Sequence, residues 1–297
     1  MKKILLIIIS LITVFSLVAC GPADKNVPEK VRLENVYLTE KMPLPENVDI
    51  YSVVASGDNV YLRGSKHVET TNDDGYTEYE YYEVIYRTDK AFAELTEFFT
   101  FQSEDYWDEA TGYSSNKYFD RATSDGQGGL WISISEYEGW PDENGNGWTS
   151  RNNSTLYRYA EDGSVIREVN CREILEAVPD IEDSELEYFY INSIAQTGDD
   201  NLYLCIGTRI IAIDAEGNII TSKEIDENKN FGDIAALENG NIRSVRYDWS
   251  GEEAKAEIVE YDVKTNEIKT LATLSVNDNI IMSPSGNVYV NDYYVVS

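Results

Sequence analysis

The sequence predicts an all-β body, a β-propeller of four-stranded antiparallel blades, with four blades complete and a fifth begun. Three observations carry the prediction. A short turn-then-strand phrase recurs five times along the chain. A second strand–turn–strand unit follows each of the first four copies. Beyond the N-terminal leader only one short stretch, Arg172–Ala177, reads as a helix.

The recurring phrase is a Gly/Asn/Asp turn, an aliphatic residue and then, as a rule, an aromatic one. It occurs as Gly57-Asp58-Asn59-Val60-Tyr61, Gly128-Gly129-Leu130-Trp131, Asp200-Asn201-Leu202-Tyr203, Gly240-Asn241-Ile242-Arg243 and Gly286-Asn287-Val288-Tyr289. The fourth copy carries Arg243 where the others carry an aromatic ring. β-like runs such as Ile50–Ala55 and Ile191–Gln196 precede the copies, so each reads as a hairpin. The second unit turns at Thr88-Asp89-Lys90, Glu161-Asp162-Gly163, Ala215-Glu216-Gly217 and Lys264-Thr265-Asn266. Two hairpins in series make the four antiparallel strands of a propeller blade.

The later aliphatic markers, Leu202, Ile242 and Val288, are spaced as blades of about 40–45 residues would be. The earlier ones, Val60, Leu130 and Leu202, lie further apart and imply insertions. A β-sandwich also has short strands between turn signals, but it does not repeat one four-strand unit. The fifth blade begins at Ile280, and the sequence given stops at Ser297. Either Asn35–Thr39 supplies a missing outer strand and closes a five-bladed ring, or the chain is a truncated piece of a larger ring.

Strand polarity sorts the loops. Turns within each hairpin fall on one face of the ring, and the connections between hairpins and between blades fall on the other. The first class is short. The long segments Ser65–Thr77, Gln102–Lys117, Gly139–Asn153, Cys171–Leu186 and Trp249–Ala254 all belong to the second. The elaborated face therefore holds Trp107, Trp140, Trp148 and Trp249, four of the five tryptophans, with His67, Tyr106 and Tyr113. Aromatic rings on long loops stack on sugars or anchor a protein partner, and they also pack insertions onto a scaffold. The four tryptophans are the candidate ligand-binding residues.

Charge excludes some partners. With 54 acidic residues against 24 basic ones the formal net charge is −30, so nucleic acid and anionic lipid headgroups are repelled. The membrane is reached by another route. Lys2 and Lys3 head the apolar stretch Ile4–Ala19, which is short for a permanent span and fits a removable export signal over residues 1–19. It ends in Leu17-Val18-Ala19-Cys20, which resembles the bacterial lipobox. Cys20 is the thiol that would take the diacylglycerol, and the acylated chain would then hold the protein to the outer face of the cell membrane. Residues 20–31, with Pro22 and Pro28, read as a lipidated tether to a propeller domain over residues 32–297.

Little in the chain points to catalysis. His67 is the only histidine, and no Ser/His/acid arrangement, zinc spacing or phosphate-binding glycine loop is present. The acidic pairs Asp73-Asp74 and Asp199-Asp200 sit in turn contexts, where solvated carboxylates are the rule. Cys171 and Cys205 could pair in an oxidising exterior, although Cys205 lies in an apolar strand where a buried thiol is the ordinary reading. No cofactor is expected, with one exception. Asp142, Asn144 and Asn146, followed by Gly147, match the first half of a calcium loop. Asn153 stands where the closing carboxylate would be, so any calcium site would be weak.

The phrase Val36-Tyr37-Leu38 through Pro43-Leu44-Pro45, the hairpin Gly57–Tyr61 and the lipobox together resemble the N-terminal propeller-like region of Firmicutes, especially clostridial, extracellular solute-binding lipoproteins. Asp125–Ile132 also resembles the repeats of sensor-kinase periplasmic propellers. The first resemblance implies a part accessory to ABC-type solute uptake, although no solute-binding domain is present. The expectation is a non-enzymatic surface binding module for carbohydrate or a protein partner. A polysaccharide-active propeller enzyme and a structural spacer are the alternatives.

Overall fold

A computed structural model describes residues 44–291 apart from 72–73, 93, 143–146, 188, 207–208, 225–228, 252–253, 277–278 and 283–285. Blade one is β1 (Val48–Ser56), β2 (Asn59–Thr71), β3 (Thr77–Asp89) and β4 (Thr96–Phe101), hydrogen-bonded in that order. Blade two is a five-stranded sheet of β5 (Glu104–Asp108), β6 (Tyr113–Ser124), β7 (Leu130–Pro141), β8 (Trp148–Tyr159) and β9 (Val165–Asn170). Blade three is β10 (Ile191–Gln196), β11 (Leu202–Ile206), β12 (Arg209–Ile213) and β13 (Ile219–Glu224). Blade four is β14 (Lys229–Ala236), β15 (Ile242–Asp248), β16 (Lys255–Asp262) and β17 (Glu267–Ser275). A two-stranded pair, β18 (Asn279–Met282) with β19 (Val288–Asn291), follows. The protein is a β-propeller, with its sheets antiparallel and each packed on the next.

The core shows why these strands stack. In blade three Leu202, Leu204, Ile206, Ile211 and Ile213 are buried against Trp131, Leu156 and Val169 of blade two. The intervening Tyr203, Cys205, Ile210 and Ala212 are buried against Phe231, Ile234, Ile242, Val259 and Tyr261 of blade four. Successive strand residues point to opposite faces, so a sheet covered on both sides needs apolar residues at every position. That is how LYLCI reads, and RIIAI after its first residue, Arg209, which is buried in an ion pair with Glu185. Cys171 and Cys205 are buried and unpaired, so the disulfide considered from the sequence does not form. Burial pushes both thiols well above their ordinary range.

The recurring phrase also carries the bonds between blades. Tyr61 Oη donates to the Gly128 carbonyl at 2.6 Å, and Tyr203 Oη to the Gly240 carbonyl at 3.2 Å. Trp131 Nε1 donates to Gln196 Oε1 at 2.5 Å. Each marker ring therefore reaches the turn region of the following blade. Arg243, the apparent exception, does the same with its guanidinium, donating to the Gly286 carbonyl at 2.9 Å. Gly128, Gly240 and Gly286 hold φ of 100°, 84° and 78°. Asp200 takes their place in blade three at φ 65°, with its carboxylate gripped by Gln196, Gln127 and Arg158.

Several expectations change. Most of Ser65–Thr77, Gln102–Lys117 and Gly139–Asn153 is strand rather than loop. β2 pairs with β3 as far as Thr71↔Thr77, and β7 with β8 as far as Pro141↔Trp148. Runs such as Thr77–Glu83 read as polar because both faces of these hairpin arms are largely open to water, yet the backbone ladder continues. Gln102–Lys117 forms the hairpin that gives blade two its fifth strand. The helix begins one residue earlier than expected, as α1 (Cys171–Glu176) capped by Asn170, and α2 (Asp183–Glu187) follows it. Residues 1–19, Cys20, the tether 20–31 and Asn35–Thr39 lie outside the described residues. No helix among the described residues is long and apolar enough to cross a membrane.

Candidate functional site

Blade two overhangs its neighbour. Its β7 and β8 run for 12 residues each, whereas β11 and β12 of blade three have 5. At about 3.3 Å per residue, roughly 20 Å of blade two extends beyond the strands that cover it. The strip left open is the candidate site.

Three rows of residues build it. Trp107, Ser114, Gly139 and Ser150 lie side by side across β5 to β8. Asp105, Asn116, Tyr137 and Asn152 form the next row, and Tyr118, Ser135 and Ser154 the third. The outer row is small between its ends, which lets Trp148 fold its indole over Gly139. A Cβ on Gly139 would stand 2.5 Å from Trp148 Nε1. There the Trp148 ring stacks with Trp107, their centroids 6.3 Å apart and the planes inclined by 14°. The two tryptophans stay 60 % and 48 % exposed. Trp148 Nε1 donates to Tyr137 Oη at 3.1 Å, tying the stack to the second row.

Beside the stack lies a cavity of about 290 Å³, lined by Asn116, Tyr118, Asp120, Ser135, Tyr137, Asn152, Phe189 and Tyr190. Its walls are pre-set. Asn116 donates to Asp105 Oδ1, and Ser135 shares a 2.8 Å hydrogen bond with Ser154. Asn152 grips the backbone of Phe189 from both sides, accepting from its N–H at 3.0 Å and donating to its carbonyl. Arg172 of α1 locks that corner, donating to the Asn152 and Leu186 carbonyls at 2.8 and 2.5 Å. Asp120 is the extra residue of a β-bulge, where the β6–β7 register slips between Phe119 and Arg121. Bulges re-aim side chains in this way beside binding sites. Burial raises the Asp120 carboxyl above its usual range, against the pull of Arg121, Arg63 and the Ser133 hydroxyl.

Of the four candidate tryptophans the fold brings two together. Trp140, one residue beyond Gly139, points to the other face of the sheet and is half-buried. That reverse face also holds the Tyr106–Tyr113 ring pair and the 2.7 Å bond from Tyr113 to Glu138. Trp249 belongs to blade four, stacked on Tyr247 at 6.4 Å. His67 lies in strand β2 between the rings of Tyr79 and Tyr81. Of the calcium candidates, Asn144 and Asn146 lie outside the described residues. Asp142 closes the hairpin tip through its backbone N–H to the Gly147 carbonyl at 3.0 Å. Among the described residues no three His, Cys, Asp or Glu side chains gather to hold a metal ion.

The cavity residues are not among the sequence candidates, because most lie in strands and meet only through register. A signal is present: in Ile132–Gly139 the residues Ile132, Ile134, Glu136 and Glu138 alternate with Ser133, Ser135, Tyr137 and Gly139, so the second set puts small and polar side chains and one aromatic ring on a single face of β7.

No family model and no curated protein sequence matches the chain. Solved structures do. The chain is similar to a protein of unknown function from Bacteroides caccae, at 13% identity over 84% of this chain and 72% of that one, with a TM-score of 0.40. It is similar to a streptogramin B lyase at 14% identity over 84% and 93%, with a TM-score of 0.37. It is also similar to virginiamycin B lyase from Staphylococcus aureus at 15% identity over 80% and 88%, with a TM-score of 0.31. The fold assignment rests on the chain's own sheets, and no activity carries over from these structures.

Proposed function

We propose that this chain is a cell-surface lipoprotein, anchored through Cys20, that binds carbohydrate without chemistry on the overhanging face of blade two. The observation that carries the reading is the exposed Trp107–Trp148 stack beside the lined cavity, joined to it through Tyr137. Indole faces supply large apolar area with little side-chain entropy to lose, which suits the C–H faces of pyranose rings. Asn116, Ser135, Tyr137 and Asn152 supply the donors and acceptors that hydroxyl groups need. The cavity volume falls at the lower end of the about 300–1,000 Å³ of small-molecule sites, which fits one sugar ring rather than a long chain. A role accessory to uptake agrees with an anchored module that concentrates saccharide at the membrane.

The test is a glycan array probed with the full chain in detergent micelles, followed by Trp107→Ala and Trp148→Ala. Binding of a set of saccharides that falls at least tenfold in each variant, with unchanged melting, supports the reading. A silent array, or binding indifferent to both substitutions, overturns it.

A further inference from the structure

We infer that the blade-two cavity accepts an organic ammonium group, held between tyrosine rings and the Asp120 carboxylate. The inference rests on the reading of this face as a ligand site and names the chemistry it selects.

Four of the eight lining residues are aromatic: Tyr118, Tyr137, Phe189 and Tyr190. Aromatic faces attract cations, most strongly where water is excluded, and several rings around one small volume are the usual means of holding quaternary ammonium. The one charged lining residue is an acid. Asp120 has a side chain only 27% exposed, carried into the wall by its bulge. Two guanidinium groups lie near it, and neither donates a hydrogen bond to its carboxylate. Arg63 donates through Nη1 to the Asp120 main-chain carbonyl at 3.1 Å and through Nε to Glu83 at 3.2 Å. Arg121 donates to the Asn192 carbonyl and makes only a long ion pair with Asp120, Nε to Oδ2 at 3.9 Å, beyond hydrogen-bond reach. Burial therefore outweighs the pull of Arg121, Arg63 and the Ser133 hydroxyl on this carboxyl, which is desolvated without full compensation. A ligand cation supplies what is missing. The net charge of −30 draws cations toward the whole molecule, and uronic or other acidic sugars are disfavoured in this cavity.

Ammonium reaches such a cavity from two sources, an amino sugar or a small choline-like molecule, and paired probes separate them. The full chain in detergent is titrated by calorimetry with choline and its uncharged isostere 3,3-dimethylbutan-1-ol, and with glucosamine and N-acetylglucosamine. The expected result is at least a tenfold preference for the charged member of one or both pairs. Asp120→Asn removes that preference, and Tyr190→Leu, at a half-exposed ring that the fold does not need, weakens it. Preference within the glucosamine pair assigns an amino sugar; preference for choline alone assigns a quaternary ammonium. Equal binding within both pairs, no binding of any probe, or discrimination that survives Asp120→Asn overturns the inference. Glycan binding at the tryptophans without charge preference sinks the ammonium site and spares the carbohydrate reading. Choline binding beside a silent array does the reverse.

Discussion

The indole of Trp148 rests on the bare Cα of Gly139, so closely that a Cβ there would meet Nε1, Cε2 and Cζ2 at 2.5–2.8 Å. The contact is with the far end of a flexible side chain rather than with backbone. A methyl group at this position therefore moves the ring instead of the sheet. Gly139→Ala is expected to separate Trp148 from Trp107 and to break the bond to Tyr137 Oη. Stability should change by about 1 kcal/mol or less. Near-ultraviolet circular dichroism reports the stack, and thermal melting the fold. A loss of the tryptophan signal with little change in melting is the predicted pair of outcomes.

The marker residues act as one series, and their substitutions should rank by what each carbonyl retains. Gly128 O also accepts from Asn59 Nδ2 at 3.0 Å, so Tyr61→Phe leaves it satisfied and costs about 1 kcal/mol. Arg243→Ala removes the Gly286 bond and the 3.3 Å contact to Glu260, and it should cost more, about 1–3 kcal/mol. Arg243→Tyr, which restores the rule of the other copies, should recover part of the loss. Urea midpoints of the three variants give the order directly.

The repeat was legible because its parts have separate physical causes. A left-handed turn position asks for Gly, Asn or Asp, and a twice-covered strand asks for unbroken apolar residues such as Leu202–Ile206. In the sequence Arg243, standing where the other copies carry an aromatic ring, departs from the rule of the repeat. Only the partner, the Gly286 carbonyl, shows that the hydrogen bond is what persists. The site was half legible. Trp107 and Trp148 were found because large rings in polar surroundings stand out. Asn116, Tyr137 and Asn152 were not, since their meeting depends on register across β6, β7 and β8, which is set by pairing far along the chain. Trp140 stands apart from the stack because one residue of register moves a side chain to the opposite face.

Asp125 ties two blades together through a buried carboxylate. Its carboxylate accepts from Ser56 Oγ, Gln127 N, Gly129 N and Arg158 Nε, joining blade one to blade two. Both members of the Asp125–Arg158 pair are buried, at 2% and 8% side-chain exposure. Asp125→Ala leaves the Gln127 and Gly129 N–H groups without this acceptor and Arg158 with only the part-exposed Asp200 as counter-charge, so it should cost about 3 kcal/mol. The exposed Lys90–Asp58 pair is a control of the opposite kind, and Lys90→Ala should leave the urea midpoint unmoved. Equal effects from the two substitutions would contradict this account of what joins the blades.

Two carboxyls should tilt the stability–pH curve in opposite directions. Burial raises Asp120, so the folded state holds its proton more tightly than the unfolded chain does, and this group favours folding in acid. Its contribution declines as pH climbs from the ordinary carboxylate range through the raised folded value. Asp120→Asn is therefore expected to melt higher than the parent at neutral pH and level with it in acid. Glu260 behaves in the other sense. The Asn241 side-chain amide, with Arg243 behind it, holds its carboxyl below the usual range. Its contribution is present above the ordinary value and is lost as pH falls through the folded one. Glu260→Gln should melt lower than the parent at neutral pH, with the gap closing in acid. Melting temperatures of the parent and both variants from about pH 3 to about pH 8 bracket both titrations. The two difference curves should carry opposite signs at neutral pH and converge on zero at the acid end.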